Sequence, residues 1–135
     1  MSAWGPGPFD NDDAVDFAAS LDDLEPEDRP AAIREALTEA AEETDYLDLD
    51  AGGAAVAAAA LVAAQHPDGE PVDSAHAPKQ SIPDLPEELR PIAVQALTRV
   101  LADDSELPEL WVDSPDGDAW FTMITALTDV LTTAP

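Results

Sequence analysis

Carboxylates are the chemically loaded side chains that this sequence gathers at short spacing. Asp10, Asn11, Asp12, Asp13 and Asp16 put four carboxylates and an amide within seven residues. Such an oxygen-rich set suits a hard cation such as Mg²⁺ or Ca²⁺. The spacing is not that of an EF-hand loop, however, because Val15 stands where the sixth-position glycine is required. Helix capping accounts for the same residues. Asp10 or Asn11 can accept a bond from an orphan backbone N–H, and Asp12 and Asp13 then lie in a first turn, where the helix dipole favours negative charge. Asp113, Asp116 and Asp118 around Gly117, and Asp45, Asp48 and Asp50, repeat this turn-and-cap pattern. No metal site is expected from any of the three groups.

Other chemistry is sparse. His66 and His76 are the only imidazoles, and they do not form a helical i, i+4 metal pair. Both read as surface residues, with His66 at a helix C-terminus where its charged form would be favoured. The absence of cysteine removes disulfides, thiolate metal sites and cysteine nucleophiles. Ser20, Ser74, Ser81 and Ser105 have no base nearby in sequence, and there is neither a Gly-x-Ser-x-Gly elbow nor a phosphate-binding glycine loop. The expectation is a protein that is not an enzyme and carries no cofactor.

Charge balance is the dominant compositional feature. Thirty acidic residues face five basic ones in 135 residues, a formal charge of −25. Nucleic acid and anionic membranes are bound through Lys and Arg, so both are excluded as expected partners. A cationic protein would instead be attracted and its association accelerated. Asp outnumbers Glu and Lys79 is the only lysine, a pattern that also suits a halophilic or high-GC source. The N-terminus lacks the basic and apolar regions of a signal peptide. The longest apolar run, Ala54–Ala64, is too short to span a bilayer. A cytoplasmic location is therefore expected.

The elements that must position these residues are helical. There is no alternating strand pattern and no Asn-Gly hairpin turn. Residues 1–9 read as an irregular arm, since Gly5, Pro6, Gly7 and Pro8 oppose regular structure. A first helix follows Asp10 or Asn11 and stops before Pro26, with Phe9 and Ala14 placed to form a hydrophobic staple. A second starts near Asp28 and carries Ile33, Leu37, Ala40 and Ala41. A third, capped by Asp48 or Asp50, runs to about Gln65; it is apolar on nearly every side and so belongs at the centre. Residues 67–83 form the one long loop. Asp84 and Glu87 resemble a capping box for a fourth helix, which Pro91 should kink or shorten by a turn. Ser105 caps a short helix with Leu107, Leu110 and Trp111. A last helix carries Trp120, Met123, Ile124, Leu127, Val130 and Leu131, a stripe for the core or for a dimer interface. The expected fold is all-α: a single compact bundle of about five to six helices spanning residues 1–135, with an irregular N-terminal arm.

The stretch Ala3-Trp4-Gly5-Pro6-Gly7-Pro8-Phe9-Asp10-Asn11-Asp12-Asp13-Ala14-Val15-Asp16-Phe17 resembles the opening of a family of small bacterial proteins, the domain-of-unknown-function family DUF4259. The likeness extends to the Ala-rich middle helix and to Ser105–Trp111, which matches the family's Ser-Glu-Leu-x-Glu-Leu-Trp segment. Residues 67–83 and Pro91 depart from the pattern. The resemblance implies a helical domain of bacterial or archaeal type and brings no activity, substrate or catalytic residue.

Two functional expectations follow. The first is a non-catalytic protein-binding or inhibitor module, immunity-like or a DNA mimic, that masks a basic protein with carboxylates placed as phosphates would be. The alternative is a housekeeping domain whose acidity is environmental adaptation, or a weak divalent-metal hydrolase using Asp10–Asp16. Candidate partner-binding residues are Trp4, Phe9, Asp10, Asp12, Asp13 and Asp16. In this reading Trp4 and Phe9 project from the arm as anchors. In the competing one, favoured by the small residues of the core, the arm folds back and Trp4 fills a gap beside Trp111 or Trp120. The core is the favoured place for the apolar stripe of the last helix, with a monomer or a dimer as the expected assembly.

Overall fold

The computed structural model describes residues 5–69, 72, 76–80 and 82–133. Among them are six α-helices and no strand: α1 (Asp12–Asp22), α2 (Arg29–Ala41), α3 (Leu49–Ala64), α4 (Leu89–Val100), α5 (Glu106–Trp111) and α6 (Gly117–Thr132). A 3₁₀ turn, Pro26–Asp28, leads into α2. One isolated parallel bridge joins Leu47 to Ser105, with Leu47 N–H donating to Asp104 and Glu106 N–H donating to Leu47, both at 2.9 Å.

Helix α3 is the axis of the fold. Its stretch Gly52–Ala63 is buried at every position except Ala54, because α1, α2, α4, α5 and α6 all pack on it. Methyl-sized side chains allow that crowding, as close packing requires. Helices α2, α3 and α4 also pack on one another, and α6 crosses α4 and α3. The larger core residues come from the surrounding helices: Leu21, Ile33, Leu37, Leu89, Leu97 and Ile124 are each fully enclosed. Trp111 and Trp120 stack with centroids 5.9 Å apart, and Phe121 meets Trp120 edge-on. Together they fill the corner between α5 and α6.

The glycines of α3 have a packing reason that offsets their propensity cost of about 1 kcal/mol each. A Cβ on Gly52 would lie 3.0 Å from Leu107, and one on Gly53 would lie 3.1 Å from Cβ of Asp13. The N-terminal turn of α3 is thus held against α5 on one side and the start of α1 on the other.

Caps decide the boundaries. Asn11, extended, accepts from Ala14 N–H at 2.9 Å and starts α1; Asp48 accepts from Ala51 N–H and starts α3. The capping box expected at Asp84 and Glu87 does not form. The chain instead winds through i→i−3 bonds, Leu89 N–H to Pro86 and Arg90 N–H to Glu87, and α4 follows with no side-chain cap. Pro91 therefore falls in the first turn, where a missing N–H leaves no bond unmade, and the expected kink is unnecessary. Ser105 and Asp116 sit at the starts of α5 and α6, but neither side chain caps its helix.

Candidate functional site

The Asp10–Asp16 segment does not converge into one site. Asp10 turns back and accepts from Gly7 N–H at 3.0 Å, closing the arm. Asn11 is taken up by the cap. Asp12 and Asp16 are exposed, while Asp13 turns inward to a hydrogen bond with Asp50 at the start of α3. Desolvation and the Asp50 carboxylate, with smaller contributions from Asp16 and Asp12, raise the Asp13 pKa to about 6. No group of three or more His, Cys, Asp or Glu side chains among the described residues is arranged to hold a metal ion.

Phe9 is not an anchor for a partner. It is 1% exposed and belongs to the core, because the Gly-Pro arm folds back over the helices instead of projecting from them. Trp4, like Ser74 and Ser81, lies outside the described residues.

His66 also differs from the surface residue expected. It is 6% exposed. Its Nδ1 accepts from Asp68 N–H at 2.9 Å, which leaves Nε2 as the protonated nitrogen donating to the Thr133 carbonyl, also at 2.9 Å. Arg90 donates to the same carbonyl at 2.8 Å. The end of α6 is thereby tied to the ends of α3 and α4. Nothing in the local spacing of His66 announces this, since its acceptor lies 67 residues away. His76 is exposed.

The arginines follow the same logic. Arg29, 5% exposed, donates to the carbonyls of Leu21 and Leu24 at the end of α1, each at 2.9 Å. Arg99 reaches the carbonyls of Glu43, Asp45 and Asp104 and pairs with the Asp104 carboxylate at 3.2 Å. Arg34 pairs with Glu88. These guanidiniums hold helix ends and loops together, at about 1.5–3 kcal/mol for a hydrogen bond to a charged group. Two ion pairs form among the described residues, so most carboxylates are not neutralised by a neighbour.

Concavities lie at both ends of α3. A largely apolar groove of about 620 Å³ runs between the arm and α6, lined by Phe9, Ala60, Ala63, Met123, Leu127 and Val130 with Asp10 and Asp68 at its rim. The helical stripe of α6 divides accordingly: Trp120, Ile124 and Leu131 enter the core, and Met123, Leu127 and Val130 stand half-buried along the groove. At the other end of α3, a pocket of about 270 Å³ is lined by Glu39, Glu43, Tyr46, Leu47, Asp48, Asp50 and Ala51. Tyr46 is 47% exposed and donates its hydroxyl to Glu109 at 2.6 Å. That bond, with some desolvation and the charges of Glu109 and Glu106, pushes the phenol up to about 12, so it stays protonated.

No helix among the described residues is long and apolar enough to cross a membrane. No curated protein and no solved structure matches the chain. One family model matches, over residues 2–123, which include the arm, α1 to α5 and the start of α6. With its Gly-Pro arm, Asn11 cap and alanine-rich α3 inside that match, the chain belongs to the family described as domain of unknown function DUF4259.

Proposed function

We propose that the protein is a non-catalytic binding module that masks a basic surface on another protein. The observation that carries this reading is the use made of the cations. Arg29, Arg90 and Arg99 are turned to backbone carbonyls, and two ion pairs form among the described residues against thirty acidic side chains in the sequence. Carboxylates at the surface of a rigid helical body sustain a negative field that steers and holds a cationic partner. The dispersal of the Asp10–Asp16 side chains counts against a metal-dependent hydrolase built on them.

The experiment is capture from the lysate of the source organism at physiological salt, followed by a binding titration of the captured protein over a salt series. The expected result is a stoichiometric basic protein whose affinity falls steeply as salt rises. Affinity unchanged between low and high salt would overturn the reading. The excess of Asp over Glu and the single lysine favour a second reading, in which acidity is adaptation to the medium. That reading expects near-neutral relatives in organisms of low internal salt, with the same fold and no basic partner.

A further inference from the structure

A neutral imidazole offers one donor and one acceptor, whereas an imidazolium offers two donors. The buried His66 ring spends both nitrogens in the neutral pattern. Its Nδ1 accepts from Asp68 N–H and its Nε2 donates to the Thr133 carbonyl, each at 2.9 Å. One ring therefore joins the turn that follows α3 to the end of α6. That turn is tight. Gly69 N–H donates to the His66 carbonyl at 2.9 Å, and a Cβ on Gly69 would lie 1.9 Å from the Ala63 carbonyl oxygen. The two joined segments also border the groove of about 620 Å³, which Asp68 and Gly69 of the turn line together with Leu127 and Val130 of α6.

We propose that His66 is a pH-sensitive latch between this turn and the end of α6. It holds them together while its ring is neutral and releases one of them when the ring takes up a second proton. The reason is geometric. A proton on Nδ1 would point at Asp68 N–H, donor against donor, so the cation cannot keep both bonds. If the ring stays on Thr133, the turn must move away. If the turn stays, the ring must rotate out, and the Thr133 carbonyl keeps Arg90 alone. Either way the groove loses the tie between its walls, and the half-buried Leu127 and Val130 gain access to solvent. The charged side chains around the ring come from several elements. Arg90 of α4 donates to the same carbonyl, and Asp84 and Glu87 before α4 line a pocket with His66. Asp68 lies in the turn, and Asp129 is one turn before Thr133 on α6; α3 contributes the neutral Gln65. Those carboxylates offer a displaced imidazolium partners that its present site does not.

The test is an NMR titration of the full chain from about pH 8 to about pH 5, the range in which imidazole charge changes. It follows the His66 ring nitrogens, the Asp68 amide and the methyl groups of Leu127 and Val130. At the alkaline end the ring nitrogens are expected to report the tautomer protonated at Nε2. As pH falls, the amide and the methyl groups should shift with the midpoint of the ring itself. The Asp68 protection factor should then drop about tenfold, the size of one lost hydrogen bond. His66→Gln should abolish the shared transition, with a thermal melt at the alkaline end to show that it folds. His76→Gln alters the exposed histidine and should leave the transition in place. Asp13→Asn removes the carboxyl that titrates at about 6 on the first helix, beside the opposite end of α3, and should leave it too. A ring protonated at Nδ1 at the alkaline end, or an Asp68 amide that keeps its protection once the ring is charged, overturns the latch. So does a transition that survives in His66→Gln or disappears in Asp13→Asn. Should His66→Gln not fold, the wild-type ring and amide readings decide alone.

Discussion

At the N-terminal end of α3, Asp50 lies near Asp13, and Glu39, Glu43, Asp48 and Asp50 line the adjoining pocket together with Tyr46, Leu47 and Ala51. At its C-terminal end, His66 joins Asp68 to Thr133 through neutral hydrogen bonds, and the adjoining groove is mostly apolar. The same helix therefore ends in like-charge repulsion on one side and in satisfied polar contacts on the other. Hydrogen bonds of the second kind stabilise whatever the salt. Uncompensated carboxylates cost stability at low salt, and a folded chain retains them at that cost where something outside the molecule, a partner or a salty medium, offsets it. The contrast places satisfied polar anchorage at the His66 end of α3 and uncompensated negative charge at the Asp50 end.

Substitutions can break or sharpen this contrast. The largest effect is expected for Phe9→Ala, which empties a fully enclosed site facing the groove; a loss of about 3–5 kcal/mol in chemical denaturation is the usual cost of removing a buried phenylalanine. The same loss at low and high salt would mark this end as independent of charge. His66→Ala should cost about 1–3 kcal/mol, because Asp68 N–H and the Thr133 carbonyl lose their shared partner. Amide exchange should then accelerate in the last turn of α6 but not in α1.

Asp13→Asn acts at the other end and in the opposite direction. Its folded pKa of about 6 lies above the ordinary 3.8, so the wild-type protein pays for ionisation once pH exceeds both. That cost is relieved as pH falls from about 6 towards 3.8 and is constant below. The variant should therefore be the more stable one at neutral pH, by under about 1 kcal/mol after solvent screening, and the two denaturation curves should converge in acid. A variant less stable than wild type at pH 7 would show that the Asp13–Asp50 contact is favourable as it stands. The smallest and most diffuse effect is that of salt itself. Melting temperature should rise with added NaCl as self-repulsion is screened, and rise less in Asp13→Asn.

Much of the fold was legible because its signals are local. The Asn11 and Asp48 caps, the Pro26 stop and the all-round apolar α3 are each decided within one or two helical turns, and the helices stand where those signals put them. Pro91 shows the limit. Its effect depends on where the first turn begins, and that is set by the i→i−3 winding through Pro86–Arg90. The candidate site was far less legible. The acidic run Asp10–Asp16 drew attention by its density, yet its side chains diverge, while the pocket beside Tyr46 joins residues of α2, α3 and the loop between them, and the Tyr46 hydroxyl is held by Glu109, 63 residues away.

By itself the sequence determined the helical class, the central place of α3, the absence of thiol chemistry and the sign of the surface field, since each follows from composition or from periods of a few residues. The tertiary structure alone decided that Phe9 is core, that His66 is a buried clamp, that the arginines hold backbone carbonyls and that Asp13 meets Asp50. Those outcomes depend on which distant carbonyl or carboxylate a side chain meets when helices pack, and neither hydrophobic period nor capping preference encodes that meeting.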